Sequence, residues 1–318
     1  LSAQKIIFAV PPKVHLLDLN GPAHIFYEAQ AMGAPLELVF VSTETSKKAQ
    51  SSAGLYLGEL KAFQSVKVGL ADLIFIPGME ASLIDNNTSI ESNPEFYDWL
   101  RDCYAKGAWV CSICTGAFIL GEAGLLDGLK CTTHWKKAAL FSEKFPNAQL
   151  VPNTLFVRAQ NIFTSAGVTA GIDMALHIIE ILYGPQMSVD IAREVVLYFR
   201  RGEADPQLSV FLQNRNHLED RIHKAQDYIM EHLNSKISIE KLAEFVGMSP
   251  RNLTRLFKKT TQLTIGAYAD LLRVEKATQL IKEKNKMRYV AQQCGLKSEN
   301  QLRSLIKKHT GLLPSELQ

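Results

Sequence analysis

The chain has 318 residues, 47% of them apolar and 21% charged, with a formal net charge of +3. That length exceeds one ordinary single-core domain and suits two, and the composition excludes fibrous, low-complexity and disordered classes. No apolar run reaches the ~18 residues of a membrane span.

The opening LSAQKIIFAVPPK has one short apolar run that stops at Pro11 and Pro12 without a small-residue cleavage pattern. It reads as a first strand and not as a signal peptide. The start at Leu1 reads as a processed beginning. KIIFAV (5–10), LELVFVS (36–42), ADLIFIPG (71–78) and AWVCSIC (108–114) are nearly continuous apolar runs of strand length, the pattern of strands buried on both faces. Between them, GPAHIFYEAQAMG (21–33) and PEFYDWLRDCYAKG (94–107) have Pro near the start and Gly at the end of a helical pattern. The series predicts an α/β, doubly wound, mostly parallel sheet of flavodoxin-like type, which binds ligands beyond the carboxyl ends of its strands. Residues 155–164 read as a short hairpin or edge strand, and 169–184 and 189–201 as helices.

GEADPQLS (202–209) breaks this pattern, and from Asn216 onward no strand-like run follows. Two domains are expected, 1–209 and an all-α 210–318. The latter opens on HLEDRIHKAQDYIMEHL, with Leu218, Ile222, Ala225, Ile229 and Leu233 on one stripe. Charge divides the same way. Residues 1–214 carry 16 Lys and Arg against 21 Asp and Glu, a net −5; residues 215–318 carry 19 against 11, a net +8. A compact basic domain points to a polyanion partner.

That domain repeats itself. Ala243 and Gly247 of LAEFVG recur 48 residues later as Ala291 and Gly295 of VAQQCG; after a one-residue insertion, Leu253, Phe257, Lys258 and Lys259 recur as Leu302, Ile306, Lys307 and Lys308. A small Ala where helices cross, a Gly for the turn and a second helix directly after it make two helix-turn-helix units. Ser249 and Pro250 form a helix start. The polar tips PRNLTR and SENQLR offer side chains suited to base edges and phosphates of double-stranded DNA.

On these residues 215–318 resembles the DNA-binding domain of AraC-type transcription regulators, with IGAYADLLRVEKATQLI similar to the linking helix and HTGLLPSEL to the closing motif. The resemblance implies DNA contacts from Arg251, Asn252 and Arg255 in the first unit and Ser298, Asn300, Gln301 and Arg303 in the second. Lys258, Lys259, Lys307 and Lys308 would serve the backbone. The first unit has TQLTI where TGLLP stands in the second, and Ser304 takes the place equivalent to Arg255.

In the first domain, Cys114 ends a strand and is followed by Thr115, Gly116 and a helix. A thiol at such a turn is exposed at the sheet's edge, and the helix amino terminus is expected to favour its thiolate. His134 is a candidate base or ligand contact, and Asp18 a candidate acid from the loop after the first strand. Main-chain N–H groups around Gly78 and Met79 could face an oxyanion. Cys111 and Cys114 form C-x-x-C, open to a redox or half-zinc reading; Cys103, Cys131 and Cys294 are simplest as small core residues. An odd total of five cysteines argues for a reducing, cytoplasmic compartment.

LLDLNGP, IPG, ICTGAFILGEAGLLDG, TTHW and GVTAGIDMAL resemble the class I glutamine-amidotransferase-like superfamily, especially PfpI-type proteases and isocyanide hydratases. The resemblance implies Cys114 as nucleophile, Asp18 as acid or base and His134 as a pocket member. It also implies a ligand site that takes in Gly78, Met79 and Thr115. Met79 departs from the second Gly usual after IPG. A sensor inheriting an enzyme fold keeps its pocket because the walls bind the signal. The expectation is therefore a homodimeric transcription regulator whose first domain senses a small effector, an amino-acid or amine derivative by family analogy, without turnover. The alternative is a cysteine-dependent hydrolase or hydratase with an accessory DNA-binding domain. Neither reading implies a cofactor, a metal or a membrane.

Overall fold

The computed structural model describes residues 3–85, 93–197, 209–210, 214–215, 217–282 and 284–317. The chain divides into two compact units, residues 1–207 and 208–318. Of the linker stretch GEADPQLS only Ser209 is among the described residues, and the last residues of the helix expected over 189–201 lie outside them.

The first unit is built on one seven-stranded sheet. Its strands are β1 (Gln4–Val10), β2 (Leu36–Ser42), β5 (Lys61–Ala62), β6 (Leu73–Ile76), β7 (Trp109–Ile113), β10 (Phe156–Ala159) and β11 (Ile162–Ser165), in the order β10-β11-β7-β6-β1-β2-β5. Every neighbouring pair is parallel except β10 with β11, the hairpin at one edge. Two small ladders lie outside the sheet, β3 (Ala49–Gln50) with β4 (Tyr56–Leu57) and β8 (Lys130–Cys131) with β9 (Gln149–Leu150). Two-residue strands are too short to leave a period in the sequence.

The apolar runs have the burial expected of a sheet covered on both sides. In β1, Ile6, Phe8 and Val10 enter one core and Ile7 and Ala9 the other; in β6, Leu73 and Phe75 oppose Ile74 and Ile76. The first core is closed by α1 (Leu16–Ala31), α6 (Thr169–Tyr183) and α7 (Pro185–Glu194) through Phe26, Met174, Ile178 and Ile191. The second is closed by α3 (Pro94–Ala105), α4 (Gly116–Glu122) and α5 (Ala138–Lys144) through Phe96, Leu100, Phe118 and Phe141. A short helix, α2 (Ala81–Asp85), follows β6. Phe8 stacks on Phe40 and Phe75 with ring centroids 5.4 and 5.1 Å away; Phe8 and Phe75 are fully buried, and each such burial contributes ~1.5–3 kcal/mol.

Two helix boundaries differ from the sequence reading: the helix expected from Val189 starts at Pro185, where proline suits the first position, and ends at Glu194. The first helix starts at Leu16, five residues before Gly21, so Asp18 stands in its first turn and not in a loop. Pro22 is accommodated inside this helix, where it removes only the bond to the Asp18 carbonyl.

The second unit holds α8 (Asp220–Glu231), α9 (Ile239–Phe245), α10 (Pro250–Thr261), α11 (Ile265–Lys282), α12 (Met287–Gln293) and α13 (Glu299–Thr310), closed by a 3-10 turn over Pro314–Glu316. The repeat is visible as two small cores. Ile222, Ile229, Leu242, Leu253 and Phe257 form the first with the amino-terminal half of α11; Val290, Ala291, Leu302 and Ile306 form the second with its carboxyl-terminal half. Gly247 and Gly295 take φ +66° and +68° at the two turns, where residues with a side chain are strained. Ser249 and Ser298 cap the helices that follow, accepting the N–H of Asn252 at 3.4 Å and of Gln301 at 3.2 Å. Leu218 departs from its expected stripe: α8 begins at Asp220, and Leu218, ahead of it, is 98% exposed.

Candidate functional site

The carboxyl ends of β1, β6, β7 and β11 converge on a pocket of about 390 Å³. Five predicted residues line it: Asp18, Met79, Cys114, Thr115 and His134. Gly78 stands behind them. A Cβ there would lie 2.8 Å from that of Cys114 and collide with Oδ2 of Asp18, so the strand-end turn requires glycine for close approach. His15, Lys136, Lys137 and Val168 also line the pocket and were not singled out from the sequence.

Cys114 leaves β7 with φ +57°, the strained strand-to-helix geometry that lifts a side chain above a sheet. Its backbone is held on both sides. The N–H donates to the Ser165 carbonyl at 2.9 Å, and the carbonyl accepts Thr133 Oγ1 at 2.9 Å. Gly167 packs against the thiol so closely that a Cβ would sit 2.7 Å from Sγ.

Asp18 is wholly buried. Its Oδ1 accepts the Val168 N–H at 2.5 Å, while Oδ2 has no hydrogen-bond partner. Burial pushes this carboxyl up from its ordinary range, against the downward pull of the Val168 amide and of His15. Burial likewise raises the Cys114 thiol, and the neighbouring Asp18 charge raises it further; the Thr115 amide pulls the other way. The expectation of a favoured thiolate is thereby corrected. Desolvation outweighs the amino terminus of α4, a helix of only seven residues.

The oxyanion expectation is corrected too. The Met79 N–H donates to Thr115 Oγ1 at 2.9 Å, and that hydroxyl returns a bond to the Met79 carbonyl at 3.0 Å. The Gly78 N–H is directed at the Asp18 carboxyl, which it helps to lower. Of the two amides, that of Met79 is committed within the protein.

His134 caps the turn Trp135–Lys137, its Nδ1 accepting the Lys136 N–H at 3.3 Å. Burial lowers its pKa, with Lys136 and His15 adding to the effect. A neutral ring that accepts at Nδ1 carries its proton on Nε2. Among the described residues no hydrogen bond joins it to Cys114. Lys136 Nζ lies 5.4 Å from the Trp135 ring centroid. The pocket thus combines a buried acid, a protonated thiol and a cationic rim between the apolar walls of Leu16, Met79 and Val168. The C-x-x-C pair Cys111 and Cys114 makes no bond: all five cysteines are free and buried.

In the second unit, Arg251, Asn252, Arg255, Lys258 and Lys259 are exposed on α10. Leu253 and Phe257 anchor its opposite face, both fully buried. On α13, Asn300, Gln301, Arg303, Lys307 and Lys308 are exposed over buried Leu302 and Ile306. Ser298 Oγ accepts the Gln301 N–H and keeps its own hydroxyl proton.

Residues 4–181 match the model of the DJ-1/PfpI family, and residues 242–318 match a helix-turn-helix domain. The chain is 30% identical over 244 residues to the HTH-type transcriptional regulator GbdR of Pseudomonas aeruginosa, covering 76% of this chain and 66% of that regulator, a little under two thirds of its length. It is 33% identical over 207 residues to an isonitrile hydratase of Pseudomonas putida, covering 64% of this chain and 81% of the hydratase. A crystal structure of an AraC family transcriptional regulator from Pseudomonas putida shares the fold at a TM-score of 0.53 and 21% identity, covering 60% of this chain and 99% of that one.

Proposed function

The chain belongs to the DJ-1/PfpI family, and from that membership, joined to the helix-turn-helix domain that follows, we propose that it is a DNA-binding transcription regulator whose first unit senses a small metabolite. The observation that carries this reading is the pair of capped helices α10 and α13, one repeat apart, which turn Arg, Asn, Gln and Lys outward from separate cores. The similarity to GbdR supports it.

For the effector the pocket supports an amine or amino-acid derivative. Its nitrogen would donate to Asp18 Oδ2, and a carboxylate would face the rim around Lys136. Such a ligand controls DNA binding only by preferring one arrangement of the protein over another; a homodimer in the cytoplasm is the setting proposed, in keeping with five free cysteines. The test is a thermal-shift screen of metabolites on the full chain, because a ligand selective for the folded pocket raises the melting temperature by mass action. A hit should then change affinity for a selected duplex at stated salt.

A second reading, hydration or hydrolysis at Cys114, draws on the side-by-side Asp18 and Cys114 and on the similarity to the isonitrile hydratase. Incubation with amides and isocyanides separates the two. Turnover that disappears in Cys114→Ser favours the enzyme; ligand-dependent DNA binding that survives this substitution favours the sensor.

A further inference from the structure

The two reading helices share one repeat but not one charge pattern. α10 carries Arg251, Arg255, Lys258 and Lys259 and no acid, whereas α13 sets Glu299 against Arg303, Lys307 and Lys308. Where α10 begins with Pro250, α13 begins with Glu299, which pairs with Arg303 one turn along at 3.6 Å. An exposed pair of this kind opens readily. The carboxylate nevertheless stays beside the helix that would meet a polyanion, and like charges repel.

Side-chain commitments point the same way. Gln301 Oε1 accepts the Lys297 N–H at 3.0 Å, which folds the amide back on its own turn; Gln301 and its counterpart Asn252 are both exposed. Ser304 replaces the long donor fork that Arg255 offers in the first unit. Beside α10, Arg251, Arg255 and Lys258 line a groove of about 420 Å³ that runs to Thr264 and Ile265, where α11 begins. The corresponding place beyond α13 holds another acid, Glu316, whose carboxylate accepts the Leu313 N–H at 2.5 Å.

Resting on the regulator reading, we propose that α10 alone reads sequence, through Arg251, Asn252 and Arg255, and that α13 is a clamp on the DNA backbone working through Lys307 and Lys308. Bidentate Arg and Asn contacts discriminate bases, whereas lysine contacts to phosphate do not.

The experiment selects binders from a pool of random duplexes of about 30 base pairs, three helical turns, using the full chain. All substituted positions are exposed or partly exposed, and circular-dichroism melting checks folding. Arg251→Ala with Arg255→Ala should erase the enriched bases and cost tenfold or more in affinity for the wild-type motif. Asn300→Ala with Arg303→Ala should keep the motif and weaken all duplexes alike, by about threefold. Glu299→Gln with Ser304→Arg should create a second block of preferred bases about one helical turn from the first. The proposal is overturned if Asn300→Ala with Arg303→Ala deletes its own block of bases, or if the α10 pair leaves the motif intact. A wild-type chain that enriches no motif at all overturns the regulator reading itself.

Discussion

The Val168 amide donates to Oδ1 of Asp18 at 2.5 Å, joining the first turn of α1 to the residue that precedes α6 across 150 positions of sequence. It fixes one carboxylate oxygen and leaves the other buried beside the Cys114 thiol.

Asp18→Asn should raise stability at neutral pH by about 1 kcal/mol, in the range usual for relieving a functional-site cost. In the fold the Asp18 pKa is raised, so the folded chain holds this proton more tightly than the unfolded one. The group therefore contributes most below its ordinary value of 3.8, and that contribution is lost as pH rises through the folded value. Urea unfolding from pH 4 to 8 checks the sign: the gap between variant and wild type should widen with pH.

Cys114 should alkylate slowly. With burial and Asp18 both holding the thiol protonated, iodoacetamide at pH 7.5 should modify it at least about tenfold more slowly than a free thiol, since the thiolate is the nucleophile. Asp18→Asn should accelerate the labelling by removing the adjacent charge. Mass-spectrometric time courses on the intact chain read both rates. A fast wild-type reaction would restore the nucleophile to the leading role.

Val168 holds φ +52° and ψ −116°, a strained setting for a β-branched residue, with its side chain 41% exposed at the pocket mouth. Val168→Gly should release that strain and stabilise the unit by about 1 kcal/mol net, after the extra unfolded-state entropy of glycine is subtracted. The same change removes an apolar wall, so effector affinity should fall. Thermal melting and ligand titration should move in opposite directions.

The two turn glycines of the repeat should differ in cost. Both have positive φ, but a Cβ on Gly247 meets nothing within 4 Å, whereas one on Gly295 meets the Leu233 carbonyl oxygen at 2.5 Å. Gly247→Ala should cost about 1 kcal/mol from conformation alone, and Gly295→Ala about 3 kcal/mol or more because backbone atoms must shift as well. Chemical denaturation of the two variants gives the comparison.

How much of this was legible in the sequence follows from what each feature depends on. β1, β6 and β7 could be read because burial on both faces turns a strand into an unbroken apolar run, and the helix-turn-helix pair because Ala243, Gly247, Leu253 and Phe257 recur at a fixed interval. Asp18, Cys114 and His134 could be found by residue type and neighbouring motif, and one pocket holds all three. Their proton states could not be read. Those depend on desolvation and on amides from distant segments, as the burial of Asp18 and the Val168 bond to it illustrate. The start of α1 was hidden by Pro22, which reads as an opening residue but is tolerated a turn and a half inside.

α11 belongs to both small cores of the second unit: Ile265, Tyr268, Ala269 and Leu272 lie in one, Ala277 and Ile281 in the other. Its 18 residues make a rod of roughly 27 Å, and each added residue would swing the distal half by about 100°. The spacing and phase of the two gripping surfaces are thus set like the jaws of a fixed calliper. A single insertion between Leu272 and Ala277 would leave each jaw folded and throw the pair out of step with the pitch of a double helix.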